Sequence, residues 1–161
     1  MTYAINTILL WFSAIGCGLL AGLYFSFSSF IMRALGRIEA PSGIAAMNSI
    51  NAVIQRSAFM PLFLGSSLAA LILAGIALFQ WHQPGSVATL TGGVTYVVGM
   101  FACTMAFNVP LNNALAAVDP ASSNDANMWA RYLRDWTFWN HVRTIASTVA
   151  MILFIYAISI R

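Results

Sequence analysis

The sequence predicts an all-α protein, a four-helix transmembrane bundle forming one domain. Three observations lead there. Of the 161 residues, 60% are hydrophobic and only 7% are charged, against about 25% charged in an ordinary soluble domain. Four apolar stretches, at about 5–32, 59–81, 89–107 and 140–160, approach or exceed the roughly 20 residues a helix needs to cross a bilayer. The segments between them are polar or punctuated by proline and glycine, as connections are. The chain length suits a single domain.

The first stretch has no Lys or Arg before it and outruns a secretory h-region, so it is expected to stay as a membrane helix. Ala14, Gly18, Gly22 and Ser26 recur every four residues along it. Small residues at that spacing let another helix come close, inside the bundle or in a homo-oligomer. Tyr24, Ser26, Ser28 and Ser29 make its exit half more polar. In the connection that follows, Pro41 can open a helix. Asn48, Asn51 and Gln55 then share one side, with Met47, Ile50 and Ile54 on an adjoining one. Such a helix either lies on the membrane surface or hangs its amides over the mouth of the bundle.

Pro61 sits in the first turns of the second stretch, and His82-Gln-Pro-Gly-Ser is a tight turn into the third. Asn108-Val-Pro-Leu-Asn-Asn is expected to close the third helix, because Pro110 lacks a donor and crowds the preceding turn. If the helix continues, Thr104, Asn108 and Asn112 share a face. Residues 119–125 read as a loop. The two long connections hold Arg33, Arg37, Arg56, Arg131 and Arg134, whereas the second-to-third turn has no Lys or Arg. The positive-inside rule therefore places both termini outside.

In the stretch from Trp129 to Ser147, helical spacing puts Trp129, Tyr132, Trp136, Asn140, Arg143 and Ser147 on one face, with Trp139 at its edge. This polar, aromatic face runs directly into apolar sequence. An arginine carried into a membrane segment is by default a functional group. The competing reading is an interfacial anchor, since Trp, Tyr and Arg also collect at headgroups.

Several chemistries are excluded. Every basic residue is Arg, so a Schiff base on lysine is impossible. The net charge of +3 is scattered, which gives nucleic-acid binding no support. His82 and His141 are expected at opposite ends of a core about 30 Å thick, so they cannot share a metal in one subunit. Cys17 and Cys103 are expected at different depths, too far apart to pair. Glu39, Asp119, Asp125 and Asp135 all fall in loops or at a helix entrance, which weakens a proton-driven transporter. No metal site and no cofactor are expected. What remains is a cluster at one end: Asn108, Asn112, Trp136, Trp139, Asn140, His141, Arg143 and, from the first connection, Asn51. His141 points more than a quarter-turn away from the Arg143 face, so the two need not serve one cavity.

Gly22-Leu-Tyr-Phe-Ser-Phe, Asn108-Val-Pro-Leu-Asn-Asn and Trp136-Thr-Phe-Trp-Asn-His-Val-Arg-Thr resemble the anthrone oxygenase family, across nearly the whole chain. The resemblance implies a four-helix protein of a bacterial inner (plasma) membrane. It implies oxidation of a hydrophobic anthrone- or quinol-like aromatic by O₂ without metal or flavin. In that scheme His141 is the base and Arg143 the cation for the oxyanion. Asn140, Asn108, Asn112 and Asn51 hold substrate oxygens, and Trp136 and Trp139 stack on the rings. The alternative is a non-catalytic bundle that binds a lipid or a partner helix. The two differ in one placement: an enzyme buries Asn140 and Arg143 in an inward pocket, and an anchor turns Trp136 and Arg143 outward.

Overall fold

The computed structural model describes residues 2–118 and 125–161, and every element among them is helical. Helix α1 (Thr2–Ser26) runs through a π-helical stretch, Phe27–Ile31, into the short α2 (Met32–Leu35). Then come α3 (Ala40–Ile54), α4 (Phe59–Phe79) and α5 (Ser86–Tyr96). The last of these continues through two π-helical stretches, Val97–Ala102 and Thr104–Asn108, into α6 (Val109–Ala116). Helix α7 (Asp125–Ser159) completes the chain. Four continuous rods, Ala4–Leu35, Phe59–Phe79, Ser86–Ala116 and Ala126–Ser159, are long and apolar enough to cross a membrane. The chain is a multi-pass membrane protein. The expected loop at 119–125 lies outside the described residues, apart from Asp125 at the start of α7.

The third rod does not end at Asn108. The turns before Pro110 widen to π-helical geometry, and Pro110 falls in the first turn of α6. A widened turn relieves the clash between a proline ring and the preceding carbonyls, so the helix passes through without a break. The fourth rod begins well before residue 140, because a roof of protein covers its early aromatic stripe.

The rods form a closed ring: α7 packs on α1 and α5, and α4 packs on α5 and α1. The outer faces are apolar and open, with Ile8, Ile15, Leu19, Leu64, Leu68, Val94, Val98, Ile145 and Ile152 all exposed. Such a belt fits lipid as its solvent. The inner stripe of α7 is continuous: Trp129, Tyr132, Trp136, Asn140, Arg143, Ser147, Ala150, Phe154 and Ala157 are all buried. One core fills the bundle around Leu20, Leu73, Tyr96, Met100 and Phe154. A second lies beneath α3, where Ile44 and Met47 meet Leu115, Trp129, Tyr132 and Trp136. Helix α3 is thus a roof over one end of the bundle, packed on α6 and α7.

Small residues make the close approaches. A Cβ on Gly93 would lie 2.6 Å from the Ala70 carbonyl oxygen, so α4 and α5 touch backbone to backbone. A Cβ on Gly43 would lie 2.5 Å from the Trp129 ring, where the roof meets α7. Of the stripe on α1, Ala14 is buried in the core, and a Cβ on Gly18 would meet Met151 of α7 at 2.9 Å. Only Gly22 and Ser26 lie toward the outside, and a Cβ on Gly22 meets nothing within 4 Å. Cys17 and Cys103 are free and buried.

Gly93→Val should therefore force α4 from α5 and cost about 1–3 kcal/mol. Gly22→Ala should be neutral or slightly stabilising. Thermal unfolding of the two variants in the same detergent checks the contrast.

Candidate functional site

A cavity of about 250 Å³ lies under α3, lined by residues of all four rods. Leu23, Tyr24 and Phe27 form one wall, and Phe59, Met60 and Phe63 form a second. Thr104, Met105, Val109 and Asn112 come from the third rod, and Trp136 and Arg143 from α7. The roof contributes Met47, Ile50, Asn51 and Ile54, with Gln55 following. An apolar cavity of about 150 Å³ takes one benzene ring, so this one is on the scale of a small fused-ring system. A larger, more open hollow of about 780 Å³ at the other end carries His82 and Arg161. Both of those residues are exposed, and no buried charge lines that basin.

The cavity's chemistry centres on Arg143, whose side chain is only 5% exposed. Its Nη2 donates to Asn140 Oδ1 at 2.7 Å and its Nη1 to Thr104 Oγ1 at 3.5 Å. Its guanidinium carbon sits 4.4 Å from the Tyr24 ring centre and 5.0 Å from that of Trp136. Two aromatic faces and two neutral oxygens stabilise a cation only in part. Among the described residues the ion pairs are Arg131–Asp135 and Arg134–Asp135, on the surface. Arg143 is therefore a buried cation facing no carboxylate, and its Nε has no partner. Removing an ion from water costs several kcal/mol unless its surroundings compensate.

Asn140 holds that cation in place. It is fully buried, and its Nδ2 donates to the Tyr24 carbonyl at 2.7 Å and to Ser28 Oγ at 2.8 Å. Ser28 in turn pairs with Thr144 Oγ1 at 3.2 Å. Asn140 thus ties α7 to α1 at the widened turns and hands its oxygen to Arg143. Asn112 lines the cavity and accepts from the Tyr132 hydroxyl at 2.7 Å. Asn51 lines it from the roof, and its Nδ2 has no hydrogen-bond partner. Trp136 ends an aromatic ladder with Tyr132 and Trp129, each step 5.8 Å, and its Nε1 has no acceptor.

The other expected site residues lie elsewhere. Asn108 is buried behind the wall, where its Nδ2 donates to the Trp136 carbonyl at 3.2 Å. The π-helical turns advance fewer degrees per residue than an α-helix, which swings Asn108 toward α7 while Thr104 and Asn112 keep the cavity. Trp139 stacks on Phe107 with ring centres 3.6 Å apart and lines a separate surface groove. His141 is exposed and lines a groove with Arg33 and Thr137 between the first and last rods. The structure does not bring it to Arg143. Among the described residues, no His, Asp or Glu lines the cavity. Spacing groups Thr104 with Asn112, as the cavity does, but does not reveal Ser28 as a partner of the cluster. It also missed Tyr24, whose place in a polar exit half of α1 was the available signal.

Asn140→Leu should leave Arg143 Nη2 without its acceptor and remove the bonds to the Tyr24 carbonyl and to Ser28. The expected cost is about 1.5–3 kcal/mol, the scale of a hydrogen bond to a charged group. The exposed His141→Leu change should stay within about 0.5 kcal/mol. Both are read from thermal unfolding.

Asn140 and Arg143 are therefore both buried on the inward face of α7; Arg143 and Trp136 line the cavity, and Asn140 bonds Arg143 from behind that wall. The anthrone oxygenase family profile matches residues 47–153, from the roof helix through most of α7. No curated protein and no solved structure matches the chain. The match takes in Asn51, Asn112, Trp136, Asn140 and Arg143 and well over half of the sequence, and the chain belongs to the anthrone oxygenase family.

Proposed function

We propose that this protein is an oxygenase-like membrane enzyme that oxidises a flat, hydrophobic anthrone- or quinol-like compound with O₂ and without a cofactor. The observation that carries this reading is the unpaired guanidinium of Arg143 set into an otherwise apolar, aromatic-walled cavity. An aromatic oxyanion is the ligand that this combination stabilises. Its rings suit Phe27, Phe63 and Trp136, and its charge suits Arg143.

The central methylene of an anthrone is acidic because its conjugate base is an aromatic oxyanion. That anion transfers one electron to O₂, and the resulting carbon radical and superoxide combine to a peroxide. The protonated peroxide loses water to leave a carbonyl. The sum is one CH₂ and one O₂ converted to one C=O and one H₂O, with O₂ as the oxidant. Arg143 holds the developing negative charge, Asn140 holds Arg143, and the apolar walls keep bulk water from the intermediate. Asn112 and Asn51 are the amides placed to meet the ligand's other oxygens. His141 lies outside the cavity, so the scheme assigns it no contact with substrate. Substrate and O₂ both partition into lipid, which suits an entrance at the membrane boundary. We further infer, from the five arginines at the roofed end, that this end is cytoplasmic and both termini are outside.

Purified protein in nanodiscs, incubated aerobically with an anthrone, should speed quinone formation over the spontaneous rate. Absorbance and oxygen uptake follow the reaction. Arg143→Gln should lose about 10²–10³-fold of the acceleration, the usual effect of one oxyanion-stabilising group, while His141→Ala should keep it. No acceleration by the wild type, or equal rates in Arg143→Gln, removes the oxygenase reading.

A further inference from the structure

The proposed reaction needs a proton to leave the substrate, yet among the described residues no carboxylate and no imidazole lines the cavity. The hydrogen-bond inventory of the wall bears on this. Two amide oxygens in or behind the wall are already committed. Asn140 Oδ1 receives Arg143, and Asn112 Oδ1 receives the Tyr132 hydroxyl, both at 2.7 Å. The Thr104 hydroxyl donates to the Met100 carbonyl at 2.7 Å and turns its lone pairs toward Arg143. Arg143 lines this space and has no carboxylate partner among the described residues. A further amide, Gln55, is exposed.

From this we propose that the chamber takes its ligand as an aromatic oxyanion, selecting the ionised form and leaving the proton in bulk water. The inference rests on the oxygenase reading for the ligand's ring class, but its physics concerns binding alone. A neutral phenol or enol leaves the buried cation uncompensated. The anion removes that penalty, because it is the counter-charge that Arg143 lacks. The balance is ligand–OH in water going to ligand–O⁻ in the chamber plus a proton in water. No group of the wall has to act as base.

The probe is 2-hydroxyanthraquinone, a flat phenol of the product class whose colour changes on ionisation and whose central carbons are already oxidised. It is titrated across pH with the full-length protein in phosphatidylcholine nanodiscs, and with empty nanodiscs. The protein-bound dye should ionise about 1–3 pH units lower, the range for a group beside an opposite charge. Arg143→Lys should keep part of that displacement, and Arg143→Gln should abolish it. The 2-methoxy ether, which has no proton to lose, should bind more weakly and without pH dependence. A dye that binds neutral, does not bind, or ionises as low with Arg143→Gln as with the wild type overturns the proposal. If the Gln variant does not fold, the wild type, the Lys variant and the ether still decide. The anthrone assay separates the two claims. Quinone formation with a dye bound neutral removes only the anion selection. An ionised bound dye with no quinone formation removes only the oxygenase reading.

Discussion

A single buried charge constrains this protein more than any other group. Arg143 enters the bundle on the inner face of α7 and meets no carboxylate among the described residues. Everything around it limits the cost. Tyr24 and Trp136 offer aromatic faces, and Asn140 and Thr104 offer oxygens. Asn140 performs this role only because the Tyr24 carbonyl and Ser28 hold its amide from the other side. The link between α1 and α7 at this level is therefore the electrostatic support of the cavity as well as a packing contact. A guanidinium whose neighbours are all neutral is left short of a negative partner, and the adjoining space is where one fits.

The widened helical turns are part of the same design. They occur in the first and third rods, at Phe27–Ile31 and from Val97 to Asn108. Phe27, Thr104 and Met105 from these stretches all line the chamber. Turns of this kind are rare and gather at functional sites. In the third rod they also let Pro110 pass within a continuous helix, so the wall extends to Asn112 instead of stopping at Asn108.

Much of this was legible in the sequence because period and burial agree in a membrane helix. The face from Trp129 to Ser147 follows from 3.6-residue spacing and is the buried face of α7. The amides of α3 were placed on one side by the same arithmetic, and Asn51 and Gln55 line the cavity. The arithmetic failed where the helix departs from that period. Asn108 was grouped with Thr104 and Asn112, but the π-helical turns carry it behind the wall. Trp139, at the edge of the predicted face, found its own partner in Phe107, a contact that no spacing rule within α7 could reveal. The role of Ser28 depends on a meeting of residues 112 positions apart, which exists only after the rods have closed.

The roof helix is one short, contiguous stretch that spans no membrane and rests on α7 where Gly43 meets Trp129. Its inner side supplies Met47, Ile50, Asn51 and Ile54 to the chamber, while the cation and its support belong to the rods. Every direct contact of the buried guanidinium comes from the rods, so exchanges at these four roof positions would reshape the space without removing any of its supports.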